Sequence, residues 1–279
     1  MTVFLLVIGI VIVISGALVF CVAPGKAPPE AKRMSETFTG LNCAHRGLYT
    51  EDQQVPENSL PAFAAARNAG YGVELDVQLS KDGQVVVFHD DSLSRACGVS
   101  EPVNSLDWES LAALSLFGTK EHIPLLTKVL DVIGDSPVIV ELKSAGAGNA
   151  ALCRKTLDIL RAQGKNWCVE SFDPRIGGWF RKNAPDVLRG QLASPPRDYD
   201  IRSKVQAFLM GNLLVNFLSR PHFIAYSVGR RPPTVRLCLA MKPMTVIWTV
   251  APEHNIAQCE NENDAVIFEH YKPTPRYRN

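Results

Sequence analysis

The chain has 279 residues, with 29 Lys and Arg against 28 Asp and Glu, a formal net charge of +1. Hydrophobic residues make up 46% and charged residues 20%, which is ample apolar surface for a folded core and excludes a disordered chain. Nineteen glycines are too few for a collagen repeat, and the balanced charge excludes duplex nucleic acid as a partner held by whole-chain electrostatics.

The first element is Thr2 to Val22, TVFLLVIGIVIVISGALVFCV, which carries no charged residue. About 20 apolar residues at a rise of about 1.5 Å span a hydrocarbon core of ~30 Å. The run is apolar on every face, which does not suit a helix of a globular domain. No Lys or Arg precedes it, no small-x-small site follows it, and Phe20 stands before Cys21 where a lipoprotein signal needs a small residue. An uncleaved transmembrane anchor over 1–22 is therefore expected rather than a signal peptide. Lys26, Lys32 and Arg33 follow the run, so the positive-inside rule places the rest of a single-pass membrane protein in the cytoplasm. The seven cysteines, 21, 43, 97, 153, 168, 238 and 259, are odd in number and form no Cys-x-x-Cys. That pattern argues for reduced thiols and against a disulfide framework or a thiolate zinc site. Residues 23–40, APGKAPPEAKRMSETFTG, read as a short Pro-rich linker.

Residues 41–279 alternate strand and helix signals. Apolar, β-rich runs fall at Leu41–Ala44, Gly72–Leu79, Val85–His89, Pro137–Leu142, Trp167–Phe172, Val187–Ala193, Phe223–Ser227, Met244–Val250 and Ala265–Glu269. Helical patterns lie between most of them, at Ser59–Ala69, Leu125–Ile133, Asn149–Gln163, Pro174–Asn183 and Pro233–Met241. Repeated βα order of this length predicts an α/β protein, a TIM-type (β/α)8 barrel preceded by the transmembrane helix. A doubly wound open sheet is the second arrangement considered, but no G-x-G-x-x-G follows the first strand. After the last strand only HYKPTPRYRN remains, too short and too Pro-rich for an eighth helix. The barrel wall is expected to be open there, or covered by the linker or the anchor.

In a barrel, functional groups stand at the C-terminal ends of strands, and residues two apart on a strand share a face. The first strand ends in His45-Arg46-Gly47, the second holds Glu74-Leu75-Asp76, the third ends in His89-Asp90 and the fourth holds Glu141-Leu142-Lys143. Three inward carboxylates, Glu74, Asp76 and Glu141, would repel one another without a cation. Such an all-oxygen set suits one divalent ion, Mg²⁺ or Ca²⁺. His45 and His89 can act as acid and base near neutral pH, and Arg46 and Lys143 can hold an anion. Together they point to phosphoryl-transfer chemistry on a phosphodiester.

The stretch AHRG…PENSLPAF…GYGVELDVQLSKDGQVVVFHDDSLSRACG…IPLLTKVL…VIVELK closely resembles the glycerophosphodiester phosphodiesterase family. The likeness is dense from Asn42 to Lys143, with echoes at Glu170-Ser171-Phe172-Asp173, Gln191-Leu192 and Trp248-Thr249-Val250. It implies a TIM barrel that hydrolyses glycerophosphodiesters to an alcohol and sn-glycerol 3-phosphate. It also implies that Glu74, Asp76 and Glu141 bind the metal and that His45 and His89 are the acid/base pair. Arg46 and Lys143 would contact the phosphate, Glu57 and Asn58 would shape the first loop, and Glu170 and Trp248 would line the substrate pocket.

Two features go beyond a plain member of that family. One is the anchor. The other is Lys204–Tyr226, KVQAFLMGNLLVNFLSRPHFIAY, an unusually apolar helix-like segment. It lies within residues 195–250, where eight Lys and Arg face only Asp198 and Asp200. A basic, apolar surface beside an anchor suits anionic headgroups, which adds membrane lysophospholipids to the expected substrates. A catalytically inactive lipid-headgroup-binding barrel is the alternative from another class.

Overall fold

The computed structural model describes residues 1–199 and 203–278; Asp200 and Arg202 of the basic stretch lie outside the described residues. The strands are β1 (Leu41–Ala44), β2 (Gly72–Leu79), β3 (Val85–Val87), β4 (Val138–Leu142), β5 (Trp167–Ser171), β6 (Arg189–Ala193), β7 (Phe223–Ser227), β8 (Met244–Val250) and β9 (Ala265–Phe268). All but β3 pair in parallel around a ring that β1 closes, joining β9 on one side and β2 on the other. The result is the expected eight-stranded barrel inside a layer of helices. The run around Val85 is not a stave: β3 folds back antiparallel on the outer half of β2, with Val77 opposite Val87. His89 therefore follows a hairpin strand, not a barrel strand.

Strand alternation separates two environments. On β2, Val73, Leu75 and Val77 pack outward with Val138, Val140 and Leu142 of β4 against helix residues such as Phe63, Leu126 and Leu157. Glu74 and Asp76, between them, point the other way, as period-two geometry requires. Most of the β2 and β4 side chains are buried, the condition that gives parallel strands their apolar runs.

Three stretches differ from the sequence reading. Residues 23–40, expected as a linker, carry a helix, Pro29–Phe38, entered with Pro28 and Pro29 at its start. Its Ala31 and Phe38 are fully buried and join Leu41, Ile139, Cys168, Phe223, Val246 and Ala265 inside the barrel. These strand residues lie at or near the N-terminal ends, so the helix closes that mouth. The apolar Lys204–Tyr226 segment is not one helix. It forms Lys204–Gly211, then Asn216–Ser219, then runs into β7. The chain reverses at Leu213 and Arg220, both with positive φ. Finally, the wall after β9 is closed by β9 pairing with β1 and is covered by the C-terminal tail itself. The Asn42 N–H donates to Pro275 O at 2.9 Å and the Tyr71 hydroxyl to Pro273 O at 2.7 Å. The Tyr271 ring packs 5.4 Å from Phe268.

Thr2–Val22 is a single helix, long and apolar enough by length and composition to cross a membrane. Its last turn is seated on the barrel's helix layer. Val22 is buried among Leu213, Val235 and Cys238, and Asn216 Nδ2 donates to Val22 O at 2.9 Å. The seven cysteines are all free.

Candidate active site

The C-terminal end of the barrel interior is built by register. Ala44 lies opposite Val73, which sets His45 level with Glu74. Asp76 lies opposite Glu141, and Glu141 opposite Glu170. Three neighbouring staves thus place Asp76, Glu141 and Glu170 in one row, with Glu74 a step below. One ligand atom from each of Glu74, Asp76 and Glu141 lies within 4.8 Å of the others. All four carboxylates are buried.

The turn after β1 is shaped for this site. Arg46 has φ of 54° and Gly47 of 82°. A side chain at Gly47 would collide with the Ala62 backbone and methyl, so only glycine allows the close approach. A left-handed backbone is uncommon for arginine. Here it turns the Arg46 N–H to Glu74 Oε2 at 3.2 Å and its guanidinium to Glu57 Oε1 at 2.8 Å and Asp76 Oδ2 at 3.6 Å. Asn58, also left-handed with φ of 54°, donates from Nδ2 to Asp76 Oδ2 at 2.9 Å. Lys143 Nζ bridges Asp76 Oδ1 and Glu141 Oε1, each at 3.0 Å.

Electrostatics follow from this crowding. Burial opposes the charge on Asp76, but Lys143, His89, Arg46 and Asn58 outweigh it and hold its pKa low. Burial also opposes Arg46 and Lys143, and the surrounding carboxylates keep both protonated, with raised pKa values. Glu74 and Glu170 move the other way: burial first, then their acidic neighbours, push both well above the usual range. Four buried carboxylates face two cations, Arg46 and Lys143, and Glu170 Oε2 has no hydrogen-bond partner among the described residues. The orphaned oxygen and the surplus of buried carboxyl groups over cations fit a divalent cation bound by hard oxygen ligands.

The two histidines flank this cluster. His45 Nε2 stands 3.9 Å from Glu74 Oε2, while its Nδ1 is 2.7 Å from Glu269 Oε2. Burial lowers the His45 pKa, and Glu269 partly offsets that. The imidazole of His89 lines the cavity with Lys143 and favours the ionised forms of Asp76 and Glu141. Its Nδ1 is 2.6 Å from Asp90 Oδ1. Gln78 Nε2 donates to the backbone carbonyls of Phe88 and Asp90, at 3.0 and 2.8 Å, and so fixes this loop to β2.

Residues 45–272 match the sequence profile of the glycerophosphoryl diester phosphodiesterase family. The chain belongs to this family. A glycerophosphodiester phosphodiesterase of Caldanaerobacter subterraneus is 39% identical over 110 residues, covering 37% of this chain and 44% of that protein. A lysophospholipase D of Homo sapiens is 29% identical over 143 residues, 47% of this chain and 44% of that protein. The chain spans less than half the length of these relatives. An Oleispira antarctica phosphodiesterase, solved in complex with the product sn-glycerol-3-phosphate, superposes with a TM-score of 0.69 at 23% identity, covering 85% of this chain and 96% of that one. A glycerophosphodiester phosphodiesterase from Thermotoga maritima gives 0.62 at 24% identity, over 82% and 93%. At these identities the structures speak for the fold.

Every site residue expected from the sequence lies within the span matched by the glycerophosphoryl diester phosphodiesterase family, and the structure brings them to one end of the barrel. His45, Arg46, Glu57, Asn58, Glu74, Asp76, Glu141 and Lys143 form the contacts described above. Glu170 sits in the carboxylate row, deeper than a pocket lining. Trp248 lines a cavity of about 1380 Å³ together with His89, Lys143 and Phe172, and its ring stands edge-on to Phe172 at 5.5 Å. Three residues were missed. Glu269 partners His45 and also accepts from the Tyr49 hydroxyl at 2.9 Å. Asp90 was noted beside His89 but given no part. Arg95 grips Asp90 Oδ2 at 2.7 Å and Glu57 Oε1 at 2.7 Å, tying the two loops together. The sequence signal for Asp90 is adjacency to a histidine; for Glu269 it is a carboxylate just past the last stave.

Proposed function

We propose that the chain hydrolyses glycerophosphodiesters to an alcohol and sn-glycerol 3-phosphate, with Mg²⁺ or Ca²⁺ as its one cofactor. The observation that carries this reading is the pairing of an over-charged carboxylate cluster with two imidazoles, each backed at Nδ1 by its own carboxylate. Glu74, Asp76 and Glu141 would hold the cation, which supplies positive charge to the phosphate oxygens when bound. Arg46 and Lys143 add fixed positive charge beside them and orient the phosphate. One imidazole takes the proton of the attacking hydroxyl, either the glycerol's own or water. The other protonates the departing alkoxide as the P–O bond breaks. With Nδ1 committed to Glu269 or Asp90, each histidine presents Nε2 to the reaction. Glu170 acts within the charged row, and Trp248 packs on the substrate's alcohol moiety.

A second substrate class is favoured by one feature, the apolar extension of the same cavity from Phe172 and Trp248 to Leu209 and Met210. A lysophospholipid could lay its chain there. In this reading residues 1–22 cross the membrane once and residues 41–279 form the catalytic domain on the cytoplasmic side. Lys26, Lys32 and Arg33 on that flank support the orientation. Labelling of Cys97 by an impermeant maleimide only after cells are opened would agree with it; equal labelling of intact cells would refute it.

The deciding experiment is release of sn-glycerol 3-phosphate from glycerophosphocholine and glycerophosphoethanolamine by the full chain in detergent, with Mg²⁺, Ca²⁺ or EDTA, beside His45→Ala. Cation-dependent release that the substitution abolishes is expected. No release from these diesters or from lysophosphatidylcholine, by a folded chain that binds the cation, would leave the headgroup-binding reading instead.

A further inference from the structure

Outside residues 1–22, the large apolar side chains that the described residues leave exposed fall in one patch: Val205 (69% exposed), Phe208 (54%), Leu209 (37%) and Leu218 (40%). Helix Lys204–Gly211 buries Ala207, Met210 and Gly211 on its inner side. Its outer side, where a water-facing helix carries charge, offers Val205, Phe208 and Leu209 with only Lys204 and Gln206 between and before them. No acidic residue occurs from Lys204 to Tyr226. A clustered apolar surface of this kind marks an interaction site rather than scatter.

Its position says what covers it. Leu218 sits on the short helix Asn216–Ser219, and that same helix receives the end of the anchor. Phe217 stacks on Phe20 with ring centroids 5.9 Å apart. The Arg220 guanidinium lies 4.5 Å over the Phe20 ring and donates to the carbonyls of Phe20 and Ala23, at 2.8 and 2.9 Å. The patch and the point where the apolar helix leaves the barrel are thus joined by adjacent residues of one rigid turn. In the other direction, Val205, Leu209 and Leu218 belong to the rim of the cavity that reaches His89 and Lys143.

We propose that Val205, Phe208, Leu209 and Leu218 form a lip that docks on the phospholipid bilayer, so that the active-site cavity opens onto lipid and not only onto water. This rests on the reading of Thr2–Val22 as a membrane-crossing helix. The anchor tethers the barrel at Asn216–Arg220, and the lip beside it sinks its apolar side chains among the acyl chains while Lys204 stays at the headgroup level. An amphiphilic phosphodiester then reaches Lys143 with its head while its chain remains in apolar surroundings.

The test uses the full chain in phosphatidylcholine/phosphatidylglycerol nanodiscs. An environment-sensitive fluorophore is attached at Phe208→Cys, or at Lys120→Cys as an exposed control, with Cys21 and Cys97 replaced by serine. Quenching by lipids spin-labelled high on the acyl chain is measured at both sites. At least twofold stronger quenching at 208 than at 120 is expected. Equal quenching overturns the proposal, and so does a lip shielded without quenching in discs that hold two copies, which would make it an interface between chains. This arm needs no activity, so a failure of the catalytic reading does not affect it. In a second arm, Phe208→Glu should lose at least fivefold against lysophosphatidylcholine in nanodiscs and stay within twofold on glycerophosphocholine. Unchanged rates on both would remove lipid entry from the proposal.

Discussion

At the N-terminal ends of the barrel strands, Phe38, Ala31 and their neighbours fill the interior with apolar side chains. At the C-terminal ends of the same strands, four buried carboxylates crowd two cations, and Arg46 and Asn58 hold left-handed backbone. One set of staves therefore carries a stabilising end and a costly end, about two residues apart along each strand. The apolar end contributes the burial that offsets the desolvation and repulsion of the other. The difference is open to experiment, because changes at the two ends should separate activity from stability.

The largest effect is expected from His89→Ala at the reactive end. In the proposed mechanism it removes an acid/base group, and the side chain is partly exposed and fills no core. kcat/KM for glycerophosphocholine should fall by about 10²–10⁴-fold, with the thermal midpoint nearly unchanged. A comparable loss of stability would mean that the loop after β3 is structural and would blur the contrast between the ends.

Phe38→Ala tests the opposite end. A fully buried phenylalanine that closes the barrel mouth should cost about 3–5 kcal/mol of stability, read by denaturant unfolding in detergent. Turnover at low temperature, where the fold persists, should stay close to the parent's. If activity fell first, the plug would be coupled to the catalytic rim, and the two ends would not be independent.

A smaller effect is expected at Glu269→Gln. Burial works against the Glu269 carboxylate, but the bond to His45 outweighs it and brings the pKa to about 2, so the group is ionised throughout the working range. It raises the His45 pKa, which burial otherwise lowers. Removing its charge should therefore move the acidic limb of kcat/KM to lower pH when His45 is the base, while kcat falls by about 10–100-fold. A limb that stays in place would show that His45 does not set it.

The sequence was legible wherever period-two alternation applied. Glu74 and Asp76, and Glu141 and Lys143, flank outward leucines, so their shared face followed from the strand alone. Ring closure was not readable in the same way. His45 and Glu269 are 224 residues apart, and only the pairing of β9 with β1 brings them into contact. The helix Pro29–Phe38 was hidden by its composition, since only Ala31 and Phe38 are buried in a run of charged and polar residues. Its start signal was present, however: proline at the first helical position followed by an acid. The lip at Val205 and Phe208 was seen as an apolar stretch, but its exposure depends on the breaks at Leu213 and Arg220, which no periodicity marks.

The smallest expected effect is also the most direct measure of what the reactive end costs. Glu170 is pushed above the ordinary carboxylate range by burial and then by Glu141 and Asp76. In the unfolded chain it loses its proton near pH 4.5; in the folded chain it keeps it to higher pH. The folded state then binds more protons than the unfolded state across that window, so the cation-free protein should lose stability as pH rises from about 5 to 8. Each pH unit of that difference is worth about 1.4 kcal/mol at most. Glu170→Gln should flatten the slope and raise the cation-free thermal midpoint by a few degrees. Mg²⁺ or Ca²⁺ should flatten the parent's slope in the same way, because a cation bound to the native state stabilises it by mass action. If midpoints measured in EDTA from pH 5 to 8 coincide for parent and variant, the carboxylate row carries no charge conflict. The contrast between the two ends of the barrel would then reduce to packing alone.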